Sequence, residues 1–380
     1  MAFRRRIGRS SEAVVTDRSA SESAGPPAEI PPRDQGPRTQ RDTYAAIDLG
    51  TNNCRLLIAR PDGRHGAFRV VDAFSRSVRL GEGLTASGRL SEAAIERTLQ
   101  ALKVCAAKMR RSGVTHARAI ATEACRSAVN SPAFIARIEA ETGLRMEIVA
   151  PGEEARLCAQ GCAPLTDPDL EDALVFDIGG GSTELIWLRR SPPRADTRPR
   201  MAAWISVPLG VVSLAERFGG APLKAEDYPA MRDAASAAFD VSFAAANFTG
   251  PPGDSRHLLG TSGTVTTLAG IHLGLSRYDR SRVDGLWMDT SDIAAVSTLL
   301  TTQDFAARAA HGCVGADRAD LVLPGCAILE AIVTRFPSQR IRIADRGLRE
   351  GILLTLMARA EKERHRRHRR DRRNGNGATP

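Results

Sequence analysis

No stretch of this 380-residue sequence reaches the ~18 uninterrupted apolar residues of a membrane-spanning helix, so helical insertion in a bilayer is excluded. The arginines at 4, 5 and 6 are followed by no apolar h-region, and no signal peptide is expected. The seven cysteines include no CxxC pair. Cys158 and Cys162, four apart in a helical pattern, suit one buried helix face better than a metal site, and a reducing cytoplasm is the expected compartment. Positive charge is scarce where a folded nucleic-acid surface would need it. Of the net +9, residues 1–43 hold 8 Arg against 6 acids and residues 361–380 hold 8 Lys and Arg against 3 acids, which leaves +2 for 44–360. Both ends are expected to be disordered and solvated.

What remains is a globular core. An apolar fraction of 42% with 26% charged residues supports a sizeable interior, and the length allows two domains. Order is expected to begin near Tyr44. Strands are read at Phe68–Leu80, Arg118–Ala121, Met146–Val149, Ala203–Pro208, His257–Gly260 and Arg340–Ala344. Helices are read from a Ser91 cap to Arg111, from a Ser131 cap to Gly143, after Pro151, at Gly210–Phe218, over 229–247, over Asp317–Phe336 with a break at Pro324-Gly325, and at Leu348–Ala360. Residues 189–200 form a Pro/Arg-rich excursion. The alternation of strands and helices indicates an α/β protein.

The most informative stretch is Ala173–Leu188, ALVFDIGGGSTELIWL. An apolar run ends at Asp177, glycines and hydroxyls fill Gly179, Gly180, Gly181, Ser182 and Thr183, and a second apolar run begins at Leu185. Without Cβ atoms, such a loop lets backbone amides crowd round an anion, which makes it a phosphate cradle. The same pattern occurs in Tyr44–Ala59, YAAIDLGTNNCRLLIA, with Asp48 on Asp177, Gly50 on Gly179 and Arg55 on Glu184. Thr51, Asn52 and Asn53 are then the phosphate-binding residues of a second cradle. GTSGTVTTLAG at 260–270 reads as a strand-to-helix turn whose Gly263 and Thr264 can meet a further phosphate at the helix N-terminus.

The paired hairpins resemble the phosphate loops of the actin-like, ribonuclease-H-like ATPase fold, in which two similar domains face each other across a cleft. That resemblance implies that Asp48 and Asp177 serve a metal. PGEEAR at 151–156, DIGGGSTEL at 177–185, SVPLGVVSL at 206–214, DRADLVLPGCAIL at 317–329 and DRGLREGIL at 345–353 then look like the Ppx/GppA family of exopolyphosphatases and guanosine pentaphosphate phosphatases. The resemblance covers about 44–360. It implies a domain of 44–155 plus 347–361, a second of 156–346, and tails at 1–43 and 362–380. It implies that Glu154 is the catalytic base, that Glu184 is catalytic and helps Asp177 hold Mg²⁺ or water, and that Arg126 contacts phosphate. Thr51, Asn52, Asn53 and Cys54 depart from the family's hydroxyl-rich first loop.

The expected reaction is removal of the terminal phosphate from polyphosphate or guanosine pentaphosphate with Mg²⁺. A sugar kinase of the same fold, or a non-catalytic sensor of guanosine penta- and tetraphosphate, is the alternative. A homodimer is left open, and the basic tail is expected to contact polyanions near the cleft.

Overall fold

A computed structural model describes residues 42–63, 67–190, 199–220, 223–251 and 256–375. Two sheets carry the architecture. The first contains β1 (Tyr44–Leu49), β2 (Asn53–Pro61), β3 (Phe68–Ser77), β4 (His116–Ala121) and β5 (Met146–Ile148), in the order β3-β2-β1-β4-β5. The second contains β6 (Asp172–Ile178), β7 (Thr183–Arg189), β8 (Arg200–Val207), β9 (Arg256–Thr261), β10 (Trp287–Asp289) and β11 (Arg340–Ala344), in the order β10-β11-β9-β6-β7-β8.

In each sheet an antiparallel three-strand meander leads into two parallel strands: β1 beside β4 and β5 in the first, β6 beside β9 and β11 in the second. This is the ribonuclease-H-like order, occurring twice, with β10 added antiparallel at one edge of the second sheet. Register repeats as well, because Asp48 lies opposite Arg55 and Asp177 opposite Glu184.

Both sheets are covered on both faces, which is why their central strands read as nearly continuous apolar runs. Ala45, Ile47 and Leu49 face a core shared with the helix Glu92–Arg111, while Tyr44 and Ala46 face the closing helix Leu348–Gly375. Leu174, Phe176 and Ile178 join the largest core, and Ala173 and Val175 pack on Cys158 and Cys162 of the helix Pro151–Cys162. The shared buried cysteine face is therefore present.

Local chemistry explains most boundaries. Ser91 caps its helix by accepting from the Ala94 amide at 3.2 Å. Ser131 instead is the first residue of the helix Ser131–Thr142, and its hydroxyl donates to the Cys125 carbonyl. Pro324 interrupts nothing, because the helix Val322–Arg335 starts two residues before it, where a missing amide hydrogen costs no helical bond. The stretch 271–316, which carries no clear sequence signal, holds the helices Arg280–Val283, Thr290–Thr302 and Phe305–Ala310 besides β10.

The closing helix corrects the expectation of disorder from 362, since it runs on to Gly375. The tail expected at 1–43 lies, up to Arg41, outside the described residues, as does most of the 189–200 excursion. No helix among the described residues is long and apolar enough to cross a membrane.

Candidate active site

Loops at the C-terminal ends of β1, β4, β6, β9 and β11 converge on one cavity of about 820 Å³. In open α/β sheets this end is where ligands bind. The two cradles have the same turn: the Gly50 amide donates to Asn53 O at 2.9 Å, and the Gly179 amide to Ser182 O at 2.9 Å. They also touch. A Cβ on Gly180 would lie 2.9 Å from Thr51 Cβ, and one on Gly181 would lie 2.9 Å from Thr51 Oγ1, so only glycine lets the loops meet. The first cradle is held from behind, where Val78 and Arg79 donate their amides to Asn52 O and Gly81 donates to Thr51 O.

The third turn is built on Ser262, whose φ of +128° is unusual for a residue with a side chain. Its hydroxyl accepts from the Thr264 amide at 3.1 Å and so starts the helix Gly263–His272 at the cavity wall.

Among the acids that line this space are Asp48, Glu154, Asp177 and Glu184. Burial pushes Asp177 up to about 6, with Asp48 adding to the rise and Arg55 opposing it. Burial and then Asp177 push Glu184 up to about 7, against the Ser182 and Ser206 hydroxyls that donate to it at 2.7 and 2.9 Å. Burial, with Glu184 next, raises Glu154 well above the usual carboxylate range, although Arg126 opposes it, and burial raises Asp48 as well.

Such mutual repulsion among buried oxygen anions is relieved by a hard cation. Among the described residues no three His, Cys, Asp or Glu side chains are gathered closely enough to hold a metal by themselves. The donor set suits Mg²⁺, which binds through one or two carboxylates and completes its shell with phosphate oxygens and water.

Arginines stand among these acids, Arg55 directly across the β1–β2 pair from Asp48. Arg55, Arg318 and Arg349 line the cavity, and Arg55 is held below its ordinary pKa by burial and then by Arg349, with Arg318 adding to the fall. The sequence placed Arg55 at the repeat position of Glu184 but assigned it no role. Arg318 is read from the sequence as part of a structural charge network with Asp317 and Asp320, yet it lines the cavity; Arg349 lay unmarked within a recognised block, and Glu123, another wall residue, carried no signal of its own.

Of the expected site residues, Thr51, Asn52, Asn53, Gly179, Gly180, Gly181, Ser182, Gly263 and Thr264 all line the cavity. Two do not. Thr183 is fully buried and donates its hydroxyl to Leu209 O at 2.6 Å, because it already belongs to β7 and points away from the loop. Arg126, expected on phosphate, instead donates to Glu154 at 2.7 Å, to Glu123 at 2.8 and 3.1 Å, and to Val149 O at 2.9 Å.

The two sides of the cavity are bridged at its rim. Arg79, itself at a positive φ of 46°, reaches Asp320 at 3.0 Å and Asp317 O at 3.2 Å. The Gly83 amide donates to Glu216 at 2.7 Å.

Solved structures are similar to the chain along most of its length. An exopolyphosphatase-like protein is 28% identical with a TM-score of 0.73, over 83% of this chain and 97% of that one. A Ppx/GppA family member from Aquifex aeolicus is 27% identical with a TM-score of 0.66, over 84% and 98%. An exopolyphosphatase from Cytophaga hutchinsonii is 25% identical with a TM-score of 0.71, over 83% and 98%. The sequence pattern of the Ppx/GppA phosphatase family matches residues 57–360, a span that takes in the second cradle, the third Gly-rich turn and the closing helix as far as Ala360. With paired cradles, a buried acid array and that match, the chain belongs to the Ppx/GppA phosphatase family.

Proposed function

We propose that the protein hydrolyses the terminal phosphoanhydride bond of inorganic polyphosphate or guanosine pentaphosphate, with Glu154 as general base and Mg²⁺ as cofactor. The observation that carries this reading is that Glu154 opens into the same cavity as both phosphate cradles while Arg126 holds one of its oxygens. Phosphoryl transfer asks for little covalent chemistry from the protein, so positioning and charge neutralisation dominate. The terminal phosphate lies in the amides of the two loops, and Arg55, Arg318 and Arg349 offset the charge of the remaining chain. Glu154 orients a water and takes its proton as the water oxygen bonds to phosphorus. The bridging P–O bond breaks, and the shortened chain departs as the anion. One or two of Asp177, Glu184 and Asp48 would hold Mg²⁺, with phosphate oxygens and water completing its shell, and the ion would supply further neutralisation of phosphate charge when bound.

Because Glu154 is held well above the usual carboxylate range, kcat/KM rises with pH as the base ionises. The test is phosphate release from polyphosphate and from guanosine pentaphosphate, with and without Mg²⁺, by wild type and Glu154→Gln. Gln keeps size and hydrogen bonding but accepts no proton, so turnover falls by roughly 10²–10⁴-fold. Near-normal turnover by Glu154→Gln removes the base assignment, and turnover independent of Mg²⁺ removes the cofactor.

A further inference from the structure

Glu123 begins the short helix Glu123–Ser127 directly after β4 and lines the cavity against the second cradle, where a Cβ on Gly181 would lie 3.0 Å from its Cγ. Its carboxylate is fully engaged on the Arg126 side. Oε2 accepts from Arg126 Nε at 3.1 Å and Nη2 at 2.8 Å, and Oε1 accepts from Ser127 Oγ at 2.5 Å. The same guanidinium uses Nη1 for Glu154 Oε2 at 2.7 Å and for Val149 O at 2.9 Å. A guanidinium has five N–H donors, and these contacts occupy all but one.

We propose that Glu123 is a positioning residue: it anchors Arg126 so that the guanidinium faces Glu154 and keeps the base aimed, instead of turning to the substrate. The inference rests on the reading of Glu154 as base. Arginine in a cavity that admits phosphate is drawn to it, because the planar fork matches phosphate oxygens with two parallel bonds and phosphate carries more charge than a carboxylate. Glu123 counters that pull from the opposite edge of the guanidinium. Its charge beside Gly181 also opposes an anion in the second cradle. Removing the charge therefore has effects of opposite sign: phosphate is bound more tightly, through a released Arg126 and a less negative wall, while turnover falls because Glu154 loses its fixed donor. A residue that merely supported the fold would weaken binding and turnover together.

The experiment uses the full chain as wild type, Glu123→Gln, Glu154→Gln and the double variant. It measures kcat and KM for phosphate release, and calorimetric binding of a triphosphate whose bridging oxygens are replaced by imido groups. Glu123→Gln is expected to bind the analogue severalfold more tightly and to lower kcat by ~10-fold, the scale of one hydrogen bond to a charged group. In the Glu154→Gln background it is expected to tighten binding again but to lower kcat no further. Weaker analogue binding, an unchanged kcat, or a full additional loss in the double variant overturns the proposal. A fully active Glu154→Gln overturns the base reading and this inference with it, whereas an inactive Glu154→Gln beside an unaltered Glu123→Gln sinks the inference alone. Should Glu123→Gln melt early, Ser127→Ala, which removes the hydroxyl on the other carboxylate oxygen, reads the same opposed shifts in weaker form, and parallel losses there count against the proposal.

Discussion

Adjacent glutamates in the helix Pro151–Cys162 have opposite fates. Glu154 faces the buried acid array and is raised, while Glu153 faces out and pairs with Arg156 at 2.7 Å and Arg118 at 2.8 Å. Those arginines hold the Glu153 carboxyl down at about 2, Arg156 contributing most. A depressed carboxylate stabilises the fold above its ordinary pKa of 4.5, and that stability is lost as pH falls from 4.5 toward 2. The side chain is 28% exposed, so solvent screening limits the gain to ~1 kcal/mol. Glu153→Gln is therefore expected to melt earlier than wild type at pH 7, to close most of that gap as pH falls to about 2, and to keep phosphatase activity, as thermal melts across pH and a phosphate assay would show. A single-residue rotation along the helix thus separates a structural ion pair from the proposed base, and the doublet alone carries no mark of which is which.

Helix placement depends on two backbone crossings. A Cβ on Gly351 would lie 1.9 Å from Leu157 O, and one on Gly161 would lie 2.0 Å from Gly347 O, so the closing helix and the helix bearing Glu154 touch main chain to main chain. Neither glycine has a positive φ, and close approach alone explains them. Gly351→Ala must push the two helices apart, at an overpacking cost of ~1–3 kcal/mol, and should carry Glu154 off its line into the cavity. Urea unfolding and phosphate release on the same variant test this, with lower stability and a reduced kcat expected together. Unchanged stability would mean that the crossing has slack. Pro151 contributes from the other end, since it sits at the first helical position, where its fixed φ suits the helix and its lost amide costs nothing.

Across the whole molecule the closing helix decides what the basic end can reach. It starts at the cavity, where Arg349 and Glu350 are wall residues, and Arg364 pairs with Asp42 at 3.4 Å, two residues before the start of β1. The cavity lies at the other end of β1, beyond Asp48, so fifteen helical residues carry the basic segment ~22 Å from the site. The expectation that this charge stands beside the cleft is thereby corrected. Truncation after Glu361 keeps the buried Ala360 and is expected to leave kcat/KM on guanosine pentaphosphate and on short polyphosphate unchanged across a salt series. A salt-dependent loss on those short substrates would show that the segment reaches the cleft after all. The repeated hairpins, the apolar strands and the Gly-rich cradles were legible in the sequence, because local backbone demands and alternating burial leave a pattern within a dozen residues. The meeting of Glu154, Asp177 and Glu184 in one cavity was expected through the blocks that resemble the phosphatase family. The arginine lining was not legible, because Arg55, Arg318 and Arg349 come from three distant segments and acquire a shared role only when the sheets bring them to one cavity. Nor was the hold of Arg126 on Glu154 and Glu123, or the inward turn of Thr183. Sequence by itself determined the two matching turns, since those follow from glycine and local hydrogen bonding; the tertiary structure alone decided which charges face one another there, since a guanidinium binds whichever carboxylate or phosphate the fold sets within about 3 Å of it.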